Sequence, residues 1–434
     1  MRHARVVIGS SFGDEGKGLM TDYFTRMHGG GGVLVTRFNG GAQAGHTVEA
    51  GDGVRHVFSH FGAGSLAGAD TLLSRRFIAN PIVFQREREE LERLGVRPRV
   101  TVDPRALVTT PYDMLINEMV ETSRGAARHG SVGLGINETV TRSEARGFQL
   151  PAGRALRDRD AAAKVLRRIR DQWVPRRAAA LGIEAEYEKR RELIDGEALI
   201  ESWLRVLDEL SRHVQVRPDT QVLAEHEAVV FEGAQGLALD QTRGAFPHVT
   251  RSNTGVRNVV ELLRELPPAE LTVTYATRGY LTRHGAGPLD GELPEKPFPG
   301  VYDLTNVDHR FQGRLRFALL DVAALQARIV EDFRDTESLG RGGGIQLGLA
   351  VTCLDQLPEA ARWTRDGTVV EGSPDDLVAA IRGTLPAEVF VSRGPRAGDV
   401  ARLPVALSPV TASHAETRRR REDWGFTRRL CVSA

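Results

Sequence analysis

Cysteine is scarce: Cys353 and Cys431 are the two in 434 residues. Two are too few for a disulfide framework, and neither stands in a CxxC or Cys/His spacing that would hold a transition metal. Both read as small apolar residues of a protein kept in a reducing compartment. A surplus of one charge is also missing, since 58 Lys and Arg face 57 Asp and Glu. The overall balance therefore asks for neither a nucleic acid nor an anionic membrane as partner, and any anion site is local. No apolar run approaches the ~20 residues of a membrane helix. The run after Met1 is too short for the apolar region of a signal peptide before Asp14 and Glu15 intervene. A cytoplasmic protein acting on small molecules is expected.

Glycine is plentiful, at 46 residues, and it clusters where tight backbone turns would be needed. Ala4–Ile8 is a β-branched run that ends at a glycine, then passes through a Gly-rich loop into Leu19–Met27, which has a helical pattern. Val33–Phe38, Thr71–Leu73, Arg99–Val102, Ala228–Phe231, Leu271–Tyr275, Leu347–Thr352 and Val389–Ser392 are further strand-like runs. Helical patterns at Pro81–Leu94, Val256–Leu263 and Leu319–Val330 alternate with them. That alternation predicts an α/β fold with a large, mainly parallel central sheet, P-loop-like Gly-rich loops and helical insertions. Residues 1–434 are expected to form a single catalytic domain. Residues 156–215, dense in Arg, Glu, Asp and Ala with leucines at helical spacing, predict a helical subdomain with a solvated charged face. Gly285–Gln312 is a long Gly/Pro-rich connection, a length usually reserved for function or disorder. The Arg418–Arg421 run falls in a predicted C-terminal helix and is answered by Glu416, Glu422 and Asp423.

Gly13-Asp14-Glu15-Gly16-Lys17-Gly18 sits between the first strand and the first helix, where backbone N–H groups and the helix's positive end can cradle phosphate. It is not a Walker A loop, because Ser11 stands where the first glycine belongs and Gly18 where Ser or Thr belongs. Its carboxylates gain nothing for holding phosphate alone, but suit a loop that also binds Mg²⁺ or moves a proton. Asn39-Gly-Gly-Ala-Gln43-Ala-Gly45-His46-Thr47 follows the second strand. Both loops should thus emerge at the carboxyl edge of the sheet, where open α/β folds bind ligands. His46, presented by glycines, is a candidate acid or electrostatic stabiliser.

These two loops, with FEGAQGLALDQTRGAFPHVTRSNT and TRHGAGPLDGEL further on, resemble the adenylosuccinate synthetases in order and spacing. The resemblance implies a homodimeric enzyme in which GTP phosphorylates the 6-oxygen of IMP and the amino group of aspartate then displaces phosphate. It assigns Asp14 as the base for the purine N1 proton and as a Mg²⁺ ligand, with the Gly45 carbonyl as a second ligand. His46 would meet the transferring phosphoryl group and the 6-oxygen, and Lys17 would contact phosphate. The GTP site would comprise Gly13, Glu15, Gly16, Lys17, Gly18, Gly45, His46, Thr47, Arg316 for the ribose, Asp355 for guanine N1 and N2, and Ser392 and Gly394 beside the base. The purine nucleotide would meet Asp14, Gln43, Ser131, Gln235, Thr250 and Arg314, while Arg146 reaches its 5′-phosphate from the neighbouring subunit. The amino donor would lie against Arg310, Gln312 and Arg314.

The chain departs from the family pattern at several of these places. Gln43 replaces an Asn, and Ser131-Val132-Gly133-Leu134-Gly135 replaces Thr-Thr-Gly-Arg-Gly; Val132 has no group to donate to phosphate. Cys353 replaces a lysine. The amino-donor loop reads Arg310-Phe-Gln312-Gly313-Arg314-Leu-Arg316 and is one residue shorter up to Asp321. Three readings follow: an adenylosuccinate synthetase; a paralogue acting on dGMP or GMP, or with another purine or amine in secondary metabolism; and a nucleotide-binding regulator without turnover. The retained Asp14, Lys17 and His46 speak against the last.

Overall fold

The computed structural model describes residues 1–125, 128–266, 270–306, 313–340 and 344–404. Its centre is a ten-stranded sheet in the order Val400–Leu403, Ala387–Ser392, Ile345–Thr352, Glu270–Arg278, His3–Gly9, Ala228–Gly236, Leu34–Arg37, Asp70–Leu73, Val100–Val102, Val214–Val216. Every pairing is parallel except the edge pair Ala387–Ser392 with Val400–Leu403. The first strand lies inside the sheet, with Ala4 opposite both Val229 and Leu271. A strand flanked on both sides alternates its side chains between two buried faces. Val6 and Ile8 accordingly join a core with Val256, Val259, Val322, Leu325 and Leu377, whereas Val7 packs with Met20 and Phe24 of the first helix.

Local chemistry sets the helix ends. Asn80 accepts from the Ile82 and Val83 N–H groups ahead of Pro81–Arg93, and Thr110 with Asp113 forms a capping box for Pro111–Arg124; both are the expected satisfaction of orphan first-turn donors. Helices from Arg159 to His213 pack Leu166, Ile169, Trp203, Leu204 and Leu207 into one core with Leu73, Val100 and Val102 at the sheet edge. The charged insertion thus extends the sheet's own hydrophobic layer. No helix among the described residues is long and apolar enough to cross a membrane.

Two sequence expectations are corrected. The helix expected over Leu319–Val330 spans Val322–Phe333, and Arg316–Leu319 is a strand pairing antiparallel with Tyr280–Arg283 and Glu292–Leu293. Asp321 is the reason: its carboxylate accepts the Ala324 N–H at 2.9 Å, which starts the helix there. The second glycine loop is also shorter than read, because His46 already opens a strand, His46–Glu49, that pairs with Arg55–Phe58. The predicted C-terminal helix, Cys431, Arg310 and Gln312 lie outside the described residues.

Candidate active site

The strands His3–Gly9, Ala228–Gly236 and Leu34–Arg37 are adjacent and parallel, so the loops at their carboxyl ends share one edge. The first loop turns through Gly16, whose φ of 82° is easily adopted only without a side chain, and enters the helix Lys17–Met27. The helix then runs directly against the second loop. A Cβ at Gly18 would lie 2.7 Å from the Thr47 carbonyl oxygen and 3.0 Å from the His46 backbone. Glycine here lets the two loops touch. The Asn39 side chain binds the Ala234 N–H at 2.7 Å and the Ala234 carbonyl at 3.0 Å, tying the second loop to the FEGAQG strand.

That strand supplies a residue whose role the sequence did not reveal. His46 Nδ1 is 2.5 Å from Glu232 Oε1, and the other oxygen of Glu232 accepts the Ala63 N–H at 3.0 Å, with Arg37 Nε 3.9 Å away. All three side chains are buried. Burial pulls the His46 imidazole down to about 4, against the opposing pull of Glu232. For Glu232 burial works upward, but Arg37 and His46 outweigh it and hold the carboxyl below its ordinary range. The neutral ring therefore donates from Nδ1 to the carboxylate. A buried glutamate inside the apolar run AVVFEG was the available signal, since such a charge needs a partner.

Lys17 is buried as well, and its Nζ donates to the Gly13 carbonyl, with Glu15 Oε2 at 3.6 Å. Burial lowers the ammonium and raises the Glu15 carboxyl, each relieved in part by the other. Asp14 is part-buried, and its Oδ2 lies 3.5 Å from Nε2 of His284.

Asp14, Lys17 and His46 line one solvent-open cleft, the concave setting in which small-molecule sites lie. Gly13, Glu15, Gly16, Gly18, Gly45 and Thr47 line it too, as do Asp355, Gly394 and Pro395. Arg278 and Asp303, paired at 3.0 Å, also line it, and the sequence reading missed both. Asp355 is exposed and has no ion-pair partner among the described residues; what burial it has raises its carboxyl. Ser392 is buried, its hydroxyl turned to the Gly394 carbonyl, and it does not line the cleft.

The other sequence candidates do not line this cleft. Gln43 is part-buried with neither amide atom hydrogen-bonded, and Gln235 holds a left-handed φ of 66°, a conformation that non-glycine residues keep mainly at functional sites. The Ser131 hydroxyl exchanges hydrogen bonds with the Asn117 amide at 2.8 and 3.0 Å. Thr250 is part-buried, its N–H bound to the Leu239 carbonyl at 2.9 Å. Arg146 and Arg314 are exposed, without an ion pair among the described residues. Arg316 pairs with Glu292 and donates to the Gly285 and Gly287 carbonyls, so it braces a loop here.

The adenylosuccinate synthetase family model matches residues 6–317, a stretch that contains both glycine loops, Glu232 and Arg316. The chain belongs to the adenylosuccinate synthetase family. It is 32% identical over 307 residues to the adenylosuccinate synthetase of Alkalilimnicola ehrlichii, covering 67% of this chain and 65% of that protein's length. It is 33% identical over 342 residues to adenylosuccinate synthetase 1 of Cupriavidus pinatubonensis, covering 75% of this chain and 72% of that protein. Two solved structures share the fold. Fully ligated adenylosuccinate synthetase from Plasmodium falciparum has a TM-score of 0.67 at 19% identity, over 92% of this chain and 99% of that one. Cyanophage S-2L succinoaminodeoxyadenylate synthetase, bound to dGMP and to dATP as an energy donor, has a TM-score of 0.62 at 17% identity, over 96% and 99%. Within the adenylosuccinate synthetase fold of this chain, the glycine loops and the Glu232–His46 pair therefore occupy the carboxyl edge of the sheet.

Proposed function

We propose that this chain is a GTP-dependent ligase that phosphorylates the 6-oxygen of IMP and couples the purine to L-aspartate, giving adenylosuccinate, GDP and phosphate. The observation that carries the reading is the convergence of Asp14, Lys17 and His46 on one cleft, with His46 aimed by Glu232. A 6-oxopurine carbonyl is a poor electrophile with no leaving group. Asp14 takes the N1 proton, which makes the 6-oxygen nucleophilic toward the γ-phosphorus of GTP. GDP leaves, and the amino group then attacks C6 as the phosphorylated oxygen departs with its phosphate.

The neutral His46 offers the triphosphate a ring already bonded to Glu232. Phosphate charge beside it favours a second proton, and the resulting imidazolium can donate to the transferring phosphoryl group. Lys17, held by the Gly13 carbonyl, is within the same cleft as the phosphates would be, and the first turn of its helix favours anions. Among the described residues no three His, Cys, Asp or Glu side chains gather into a metal site. The Asp14 carboxylate and the Gly45 carbonyl are nevertheless hard oxygen donors of the number that Mg²⁺ usually takes from protein when phosphates supply the rest. Bound there, the ion would offset charge on the β- and γ-phosphates. Asp355, which lines the same cleft with no ion-pair partner among the described residues, suits the N1 and N2 donors of guanine. It stands beyond the matched stretch, which ends at residue 317.

A homodimer in the cytoplasm belongs to the same proposal, with the exposed Arg146 reaching a neighbouring site. A second reading, a paralogue with another purine or amine, is favoured by the 5′ end of the nucleotide site. There Ser131 is already engaged by Asn117 and Val132 has no hydroxyl. Phosphate release from GTP by purified protein separates the readings. A requirement for IMP and aspartate together, with a succinylated product by mass, supports the first. Release with dGMP or GMP in place of IMP moves the assignment to the second, and none with any pair of substrates refutes the ligase reading.

A further inference from the structure

The carboxylate of Asp14 has one polar side-chain neighbour within salt-bridge range among the described residues, the imidazole of His284 at 3.5 Å. Among the described residues it makes no hydrogen bond. His284 is equally uncommitted, for both of its ring nitrogens are shielded from solvent and neither has a hydrogen-bond partner among the described residues. Shielded polar atoms without partners are unfavourable and persist chiefly where a ligand or a functional neighbour completes them. The two side chains face each other, with His284 Nε2 3.5 Å from Asp14 Oδ2.

His284 is held from behind by a rigid support. Arg283, next in the chain, is fully buried; it donates to the carbonyls of Pro288 at 2.7 Å, Ala286 at 3.1 Å and His248 at 3.3 Å, and lies over the Phe12 ring at 4.5 Å. Arg316 donates to the Gly285 and Gly287 carbonyls, each at 2.9 Å. Two guanidinium groups thus lock residues 285–288 into one shape, with Gly285 and Gly287 at φ of 68° and 110°. The Ala286 N–H also binds the His129 carbonyl at 3.3 Å, which joins this loop to the segment leading into Ser131. His284 therefore stands between the cleft residue Asp14 and the loops assigned to the purine nucleotide, without lining the cleft itself.

We propose that His284 is the positioning residue for Asp14, an inference that rests on the proton-acceptor role given to Asp14 above. Its Nε2–H donates to Oδ2 and leaves Oδ1 for the purine N1–H. The contact shortens to a hydrogen bond when the nucleotide fills the site, as such contacts commonly do. The N1 proton goes to Asp14, and His284 neither gains nor loses one.

Three variants and one spectrum test this. His284→Ala is expected to lower kcat about 10–100-fold, the usual effect of removing an orienting partner, with KM for GTP within about twofold. Its melting temperature should not fall, because the ring makes no hydrogen bond that folding depends on. His284→Gln, which can donate an amide N–H but cannot shuttle a proton, should recover most of the rate. Equal losses in Ala and Gln, or an unchanged kcat in Ala, would overturn the proposal. Independently of turnover, the ¹⁵N imidazole resonance of His284, identified by its loss in His284→Gln, should move in Asp14→Asn; an unmoved resonance removes the contact. Wild-type protein inactive with every substrate pair sinks the ligase reading instead, and the resonance still decides the contact.

Discussion

Acid should weaken this protein through His60, one of its most confined histidines. The ring is fully buried; its Nε2 accepts the Asn80 N–H at 2.8 Å, and its faces meet Phe77 and Phe84. Burial first, and the nearby Arg37 guanidinium second, pull it down to about 3. In the unfolded chain a histidine titrates near 6.5, so above that pH both states are neutral and the full stability is present. As pH falls below about 6.5 the unfolded chain takes up a proton that the folded one refuses. Stability is then lost at about 1.4 kcal/mol per unit, roughly 2 kcal/mol by pH 5 and about 4 kcal/mol by pH 3. Other groups shift in the same range, Asp332 upward to about 6 among them, so the measurement must be a difference. His60→Gln removes the titration while keeping an oxygen to accept the Asn80 N–H. Urea unfolding of both proteins, followed by far-ultraviolet dichroism at about pH 7.5 and pH 5, should show the wild-type advantage shrinking by about 2 kcal/mol. A difference that does not change with pH would refute the reasoning. The effect also bears on the site: Phe77 lies under Arg37, and the Ile78 N–H binds the Gly40 carbonyl. The acid-sensitive segment is therefore the one that supports the His46 loop.

Three further outcomes are expected. Asp14→Asn should lower turnover by roughly 10²–10⁴-fold in the phosphate-release assay, the range for loss of a general base, while the fold, read by melting, stays intact; near-normal activity would remove Asp14 from its role. Glu232→Gln should depress kcat and also destabilise by about 3–5 kcal/mol, because Arg37 is left buried without its carboxylate; denaturation and kinetics on the same sample check both, and an unchanged stability would mean that Arg37 does not depend on Glu232. If Arg146 serves the neighbouring subunit, mixing inactive Arg146→Ala with inactive Asp14→Asn should restore activity to about a quarter of wild type, the share of intact sites in randomly paired dimers; no recovery would place Arg146 in its own site or outside any.

What could be read from the sequence was local. A β-branched run, a glycine loop and a helical pattern in immediate succession are short-range signals, and the strand His3–Gly9 with the helix Lys17–Met27 lies where they put it. Asp14 and His46 stood out because glycine loops present few side chains, so each polar one is conspicuous. Glu232 did not, since its partner is 186 residues away in the chain and only the parallel pairing of its strand with Leu34–Arg37, which leads into the His46 loop, brings them together. The bracing contacts of Arg316 were hidden for a related reason: only the antiparallel strand it occupies brings it to Glu292, 24 residues away. The short strand Val214–Val216, immediately after a seventeen-residue helix, carries too few residues for any periodicity to register.

The long-range contacts that were invisible also decide how the proposed enzyme would hold its purine nucleotide. The segment expected at the 5′-phosphate offers no free hydroxyl, since Ser131 is bound in both directions by Asn117 and Val132 has none. With those donors removed, the remaining charge for a dianionic phosphate on this reading is the guanidinium of Arg146, which lies exposed and unpaired on its own subunit. A bidentate arginine can carry such an ion, but here it would come from another chain. Affinity for the nucleotide then depends on assembly: the apparent KM should rise as protein is diluted toward its dissociation constant, by the fraction of sites that lack a neighbour. Free hydroxyls at residues 131 and 132 would have softened that dependence. On the dimer proposal their absence would make subunit pairing a condition of substrate binding, and a KM that stays flat through dimer dissociation would show that the phosphate is held by groups of the same subunit.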